Sequence, residues 1–112
     1  MRYVSTRGQA PSVGFVDAVL GGLAPDGGLY VPEAWPQLSG REIAGFAEKP
    51  YAEVAARVIG AFADSEIGEA DLLELCGEAY STFTHAAVAP LTQLQPGLFL
   101  AELFHGPSLA FK

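Results

Sequence analysis

Apolar residues recur along the chain at two different spacings, and the change from one to the other predicts where helices give way to strands. Tyr51, Val54, Val58 and Phe62 form one helical stripe with Ala55 and Ile59 beside it. Pro50 suits the first turn of that helix, and residues 63–65 close it. A second long helix opens on Glu69 and Asp71, whose carboxylates favour the positive end of the helix dipole, and continues through Leu72, Leu73, Leu75, Cys76, Ala79 and Tyr80. Together they predict an amphipathic helical pair. Ser39 and Glu42 have the spacing of a capping box and predict a short helix through Ile43 and Phe46. Nearer the N-terminus, Ser12 is the expected N-cap of a helix to about Leu20. That helix places Phe15, Val16, Val19 and Leu20 on one face and stops at Gly21-Gly22.

Strand signals lie at the two ends. Tyr3 and Val4 favour a short opening strand, and Leu29-Tyr30-Val31-Pro32 reads as another, entered through the Pro25-Asp26-Gly27-Gly28 turn. From Phe83 onward the helical period is lost. Leu91 to Leu94 and Leu98 to Phe104 are expected as two strands around a Gln95-Pro96-Gly97 turn. The one candidate boundary falls between His85 and Pro90, dividing a mostly helical unit at 1–85 from a segment at 86–112 too small to fold alone.

Composition narrows the function classes. Half of the 112 residues are apolar and 17% are charged, too hydrophobic a mixture for a disordered tail and enough for one modest domain. Thirteen acidic against six basic side chains give a net charge of -7, which argues against nucleic acid and anionic lipid as partners. One cysteine and no dense Cys/His grouping point to a reducing compartment, with the cytoplasm as the expectation and no metal site. No signal-peptide core or membrane span is legible, so a membrane location is not expected. The chain stops at Lys112 directly after an apolar run, which suggests truncation.

Candidate chemistry is sparse. Cys76 sits in an apolar helical stripe and reads as core. His85 stands alone at a helix-to-strand junction with no orienting partner in sequence reach, so a structural contact with a helix end is favoured. Asp26-Gly27-Gly28 lacks the lysine and following helix of a phosphate loop and reads as a turn. The amphipathic helices admit a non-enzymatic alternative, a helical protein-interaction module. The informative stretch is the end. His105-Gly106-Pro107 predicts a turn after a strand, and Ser108 is placed to cap a new helix whose first turn holds Leu109, Ala110, Phe111 and Lys112. A lysine there, buried among apolar neighbours near the positive end of a helix, is shifted toward the neutral amine that a nucleophile needs.

That end, Leu103-Phe104-His105-Gly106-Pro107-Ser108-Leu109-Ala110-Phe111-Lys112, resembles the cofactor-lysine segment of the threonine synthase family, Phe-His-Gly-Pro-Thr-x-Ala-Phe-Lys-Asp. Ser108 stands where threonine is common and keeps the hydroxyl. Two further stretches resemble the same family in the same order: Tyr3-Val4-Ser5-Thr6-Arg7-Gly8 and Gly22-Leu23-Ala24-Pro25-Asp26-Gly27-Gly28-Leu29-Tyr30-Val31-Pro32.

The resemblance implies an α/β protein in which a helical N-terminal domain with short strands precedes the start of a fold-type II, tryptophan synthase β-like pyridoxal-phosphate domain. It implies conversion of O-phospho-L-homoserine and water to L-threonine and phosphate, with pyridoxal 5'-phosphate bound to Lys112 as a Schiff base. Lys112 would then move protons among the substrate carbons, and Phe111 would pack beside the cofactor. Ser108 and Arg7 are the expected substrate contacts, Arg7 because a guanidinium matches a phosphate. The enzyme alternative is another lyase of that fold type, such as a threonine dehydratase. Family members are much longer, so the 112 residues alone are expected to be inactive. Exposed apolar surface at Leu98 to Phe104 and Leu109 to Phe111 is expected to favour self-association.

Overall fold

A computed structural model describes residues 1–111. The elements run β1 (Tyr3–Ser5), α1 (Phe15–Gly21), β2 (Tyr30–Pro32), α2 (Gly40–Ala44), α3 (Tyr51–Ala63), α4 (Glu69–Ser81), β3 (Leu91–Gln95) and β4 (Leu98–Ala101). The α3–α4 pair holds the main core, in which Ala56, Ala63, Leu72 and Cys76 are buried and Phe15, Ile59, Ile67 and Tyr80 pack around them. Small residues on α3 let the helices approach closely: a methyl group added at Gly60 would lie 3.5 Å from Leu72 Cδ1. Burial pushes the Cys76 thiol up from its ordinary pKa, in keeping with an inert core side chain. Asp64 ends α3 in the left-handed region at φ 49°, and its carboxylate pairs with the α-ammonium of Met1. Among the described residues no helix is long and apolar enough to cross a membrane.

β1 and β2 pair antiparallel, with Val4 opposite Val31. Val13 bridges to Tyr3 through two backbone hydrogen bonds, so β1 is the centre of this small sheet. Tyr3 then ties the sheet to the helices: its ring packs 5.9 Å from Phe15 and its hydroxyl donates to the Phe62 carbonyl at 2.8 Å. The capping box forms as expected, Ser39 accepting from Glu42 N and the Glu42 carboxylate accepting from Ser39 N. Arg57 on α3 pairs with the same carboxylate and joins the short helix to the pair.

Three local expectations are corrected. Helix α1 is capped at Gly14, not Ser12, because Glu66, in the α3–α4 connection, accepts from Phe15 N at 2.9 Å and Val16 N at 3.1 Å. These two bonds fill free N–H groups of the first turn from a distant part of the chain and hold the Glu66 carboxyl below its usual range. The buried face of α1 centres on Ala18, while Val19 and Leu20 point outward at 62% and 81% exposure. The second strand of the C-terminal hairpin ends at Ala101 rather than Phe104: the last cross-strand bond is Glu102 N to the Pro90 carbonyl at 3.0 Å, and the backbone then leaves the hairpin for the end of α4, where Thr84 N donates to the His105 carbonyl.

Candidate functional site

The sequence motifs separate into two places. The first surrounds the turn between α1 and β2. Gly27 occupies the left-handed region at φ 78°, and the Asp26 carboxylate accepts from Ser5 Oγ at 2.7 Å, Gly28 N at 2.9 Å and Gln9 N at 3.0 Å. The Ser5 hydroxyl and the two amides hold the Asp26 carboxyl below its usual range. Gly28 is buried so tightly that a methyl group there would overlap Ser5 Oγ and sit 3.1 Å from both Arg7 N and Asp26 Oδ1. The Asp-Gly-Gly stretch is therefore a lock between β1 and β2, in accord with the turn reading. Arg7 belongs to it: its Nη1 donates to the Asp26 carbonyl at 2.8 Å, with the guanidinium over Gly27.

The second place follows the β3–β4 hairpin. Leu91 pairs with Ala101 and Gln93 with Phe99, with an irregularity between Gln93 and Gln95. Both faces are open: every residue of the two strands is exposed, including Leu91, Leu94, Leu98, Phe99 and Leu100. The chain leaves β4 and returns to the end of α4, where the His105 carbonyl accepts from Thr84 N at 2.9 Å and from Thr84 Oγ1 at 3.2 Å. Gly106 is buried against Phe83, whose ring would stand 2.9 Å from an added Cβ.

The helix expected after Ser108 does not form among the described residues. Leu109 lies at φ 55°, in the left-handed region, where a right-handed helix cannot begin, and its N–H closes a turn onto the Gly106 carbonyl at 3.0 Å. Ser108 is consequently not a helix cap; its Oγ donates to the Ala110 carbonyl at 3.5 Å. Leu109 and Phe111 are each 75% exposed, as expected for the apolar surface of this stretch on the 112-residue chain. Lys112 lies outside the described residues.

His85 has the partner that sequence distance concealed. Its ring lies 4.9 Å from that of His105, and its Nδ1 accepts from Ala87 N at 3.1 Å, which replaces the expected contact with a helix end. His105 Nε2 and Glu102 Oε2 are 2.7 Å apart, and Thr92 Oγ1 donates to the other Glu102 oxygen at 2.5 Å. Thr92 and His105 together draw the Glu102 carboxyl below its usual range. Only the Glu102-to-His105 spacing was available in the sequence as a signal for this cluster. Among the described residues no group of three or more His, Cys, Asp or Glu side chains is arranged to hold a metal ion.

The chemistry of the terminal segment fits the attachment end of a flat aromatic aldehyde cofactor. The sequence carries a primary amine at Lys112, next in sequence to Phe111, whose ring is exposed, and four residues after Ser108.

Comparison with known proteins accords with these motifs. The profile of a family described as "Threonine synthase N terminus" matches residues 2–80. A threonine synthase of Pseudomonas aeruginosa is 53% identical over all 112 residues, and one of Schizosaccharomyces pombe is 44% identical over 111. The chain spans about a quarter of their length, 24% and 22% respectively. Among solved structures, a pyridoxal-phosphate-bound threonine synthase from Brucella melitensis superposes with a TM-score of 0.89 at 52% identity, covering 99% of this chain and 24% of that one. A yeast threonine synthase gives a TM-score of 0.83 at 37% identity, with coverages of 98% and 23%. The order of motifs, the mixed fold and these likenesses agree, and the chain belongs to the threonine synthase family, whose N-terminal region it matches.

Proposed function

We propose that the chain is the N-terminal part of a threonine synthase that converts O-phospho-L-homoserine and water to L-threonine and phosphate in the cytoplasm. The observation that carries this is the span of the likeness: 53% identity to a threonine synthase extends over the whole chain and so includes the segment ending at Lys112. Pyridoxal phosphate, when bound, supplies the electron sink that stabilises negative charge at the substrate carbons. Lys112 holds the cofactor and, once freed by the substrate's amino group, moves protons at the α, β and γ carbons. Phe111 offers its ring to the cofactor's face, and Ser108 offers a hydroxyl to cofactor or substrate. Arg7 remains a candidate for the substrate phosphate, although its contact with Asp26 supports a structural role first.

We also infer a division at about residue 85. The α3–α4 pair is packed around its own core, whereas β3 and β4 pair with each other and leave both faces open. A lone two-stranded hairpin is at best marginally stable in water. The 112 residues by themselves are therefore inactive, and their exposed hairpin favours self-association.

The test is release of phosphate and formation of threonine from O-phosphohomoserine by the full-length enzyme, with loss of both in Lys112→Ala. A cofactor-loaded full-length enzyme that releases no phosphate overturns the assignment. For the 112-residue chain, added pyridoxal phosphate should give no strong absorbance band that depends on Lys112; such a band would refute the claim that the segment is insufficient.

A further inference from the structure

The turn that leads to Lys112 has no helix or strand of its own among the described residues, yet it is pinned at its start from two directions. On one side the His105 carbonyl takes both donors of Thr84, just beyond α4. On the other, the His105 ring meets Glu102, whose second oxygen is held by Thr92 on β3. His105 is thus the residue through which the hairpin and the end of α4 both grip the segment. An ionised Glu102 only accepts hydrogen bonds, so the Nε2 of His105 carries the hydrogen and donates it. Both partners are largely shielded, with side-chain exposures of 18% and 21%, which strengthens the bond relative to one in open water. Gly106, against Phe83, carries the close packing one residue further.

We propose that His105 is a positioning residue for the cofactor lysine: by donating to Glu102 it fixes the course of the turn from Gly106 to Phe111 before pyridoxal phosphate arrives. This rests on the function proposed above. The physical reason is the cost of order. A turn held only by its own backbone samples many conformations, and a ligand that must restrict them binds more weakly by that cost. A turn already clamped through His105 leaves less to restrict.

The rival account is that His105 only fills space, since its ring stacks 4.7 Å from Phe104 and 4.9 Å from His85. Two substitutions separate the accounts because they retain opposite features. His105→Phe keeps a flat ring and removes the donor; His105→Gln removes the ring and keeps an N–H near the position of Nε2. In the full-length enzyme, the dissociation constant for pyridoxal phosphate is measured by absorbance titration. The fraction fixed covalently at Lys112 is measured by borohydride reduction and mass spectrometry.

His105→Phe should weaken cofactor binding about tenfold, the scale of one lost hydrogen bond to a charged group, and lower the trapped fraction at subsaturating cofactor. His105→Gln should stay within about threefold of the wild type by the same reckoning. Wild-type affinity in His105→Phe, or equal losses in both variants, overturns the proposal. Should His105→Phe fail to fold, Glu102→Ala removes the acceptor and leaves both rings, and the same weakening is expected; unchanged affinity there also overturns it. A wild-type enzyme that takes up no pyridoxal phosphate at Lys112 would instead defeat the underlying reading of function.

Discussion

Replacing Gly28 with alanine tests whether the Asp-Gly-Gly turn is a packed lock or only a permissive loop. The added methyl overlaps Ser5 Oγ and meets Arg7 N and Asp26 Oδ1 at 3.1 Å, tighter than ordinary contact. Ser5 cannot simply rotate away. It is 6% exposed, and its hydroxyl donates to Asp26 at 2.7 Å while accepting from Arg7 N at 3.1 Å. Overpacking of this kind costs about 1–3 kcal/mol, and the two hydrogen bonds that rotation would break put the cost in the upper half of that range. Removing the hydroxyl first should relieve most of it. In a Ser5→Ala background only the 3.1 Å contacts remain, so the penalty of Gly28→Ala should fall to about 1 kcal/mol, a coupling of ~1–2 kcal/mol between the two sites. Urea unfolding of the four members of this cycle, followed by far-UV circular dichroism, measures that coupling. Additive effects, agreeing within about 0.5 kcal/mol, would show that the overlap is relieved elsewhere and that the close approach of the two strands is not what selects glycine.

Two further expectations concern the helices and the pH response. Leu72→Ala, at 5% exposure between α3 and α4, should destabilise by about 2–3 kcal/mol, whereas Gly60→Ala should stabilise by about 0.5–1 kcal/mol, since the new methyl makes ordinary contact with Leu72 and helix propensity rises. Chemical unfolding midpoints that move the same way for both would contradict this packing. The Glu66 carboxyl is depressed in the folded state, so the stability it contributes is fully present above its unfolded pKa and is lost as pH falls through the folded one. Glu66→Gln, which has one acceptor oxygen for the two amides of α1, should unfold more easily at neutral pH and lose less further stability on acidification than the wild type. Parallel stability profiles from pH 7 into the acid range would refute the capping role.

Much of the local structure was legible because it depends on near neighbours. The periods of 51–62 and 69–80 gave α3 and α4, but the faces shifted: α3 buries Ala56 and Ala63 rather than the stripe of Tyr51, Val54, Val58 and Phe62, and α4 buries Leu72 and Cys76 while Leu73 and Leu75 are exposed. Ser39 and Glu42, three residues apart, were enough for the capping box. The errors have the opposite character. Ser12 had the chemistry of a cap, but Glu66 reached α1 from 50 residues away and moved the start of the helix. Ser108 looked like a cap for the same local reason, and the left-handed backbone at Leu109 excluded the helix.

The sequence by itself determined the kind of protein. Three motifs in order resemble those of the threonine synthase family, and that resemblance is legible because motif chemistry is written in consecutive residues. Only the tertiary structure decided what those residues touch. It turned Asp26-Gly27-Gly28 from a turn signal into a lock on Ser5, and it brought His85 against His105, 20 residues distant, whose ring in turn meets Glu102. Contacts of that range follow from how the chain closes on itself, which spacing along the sequence does not encode.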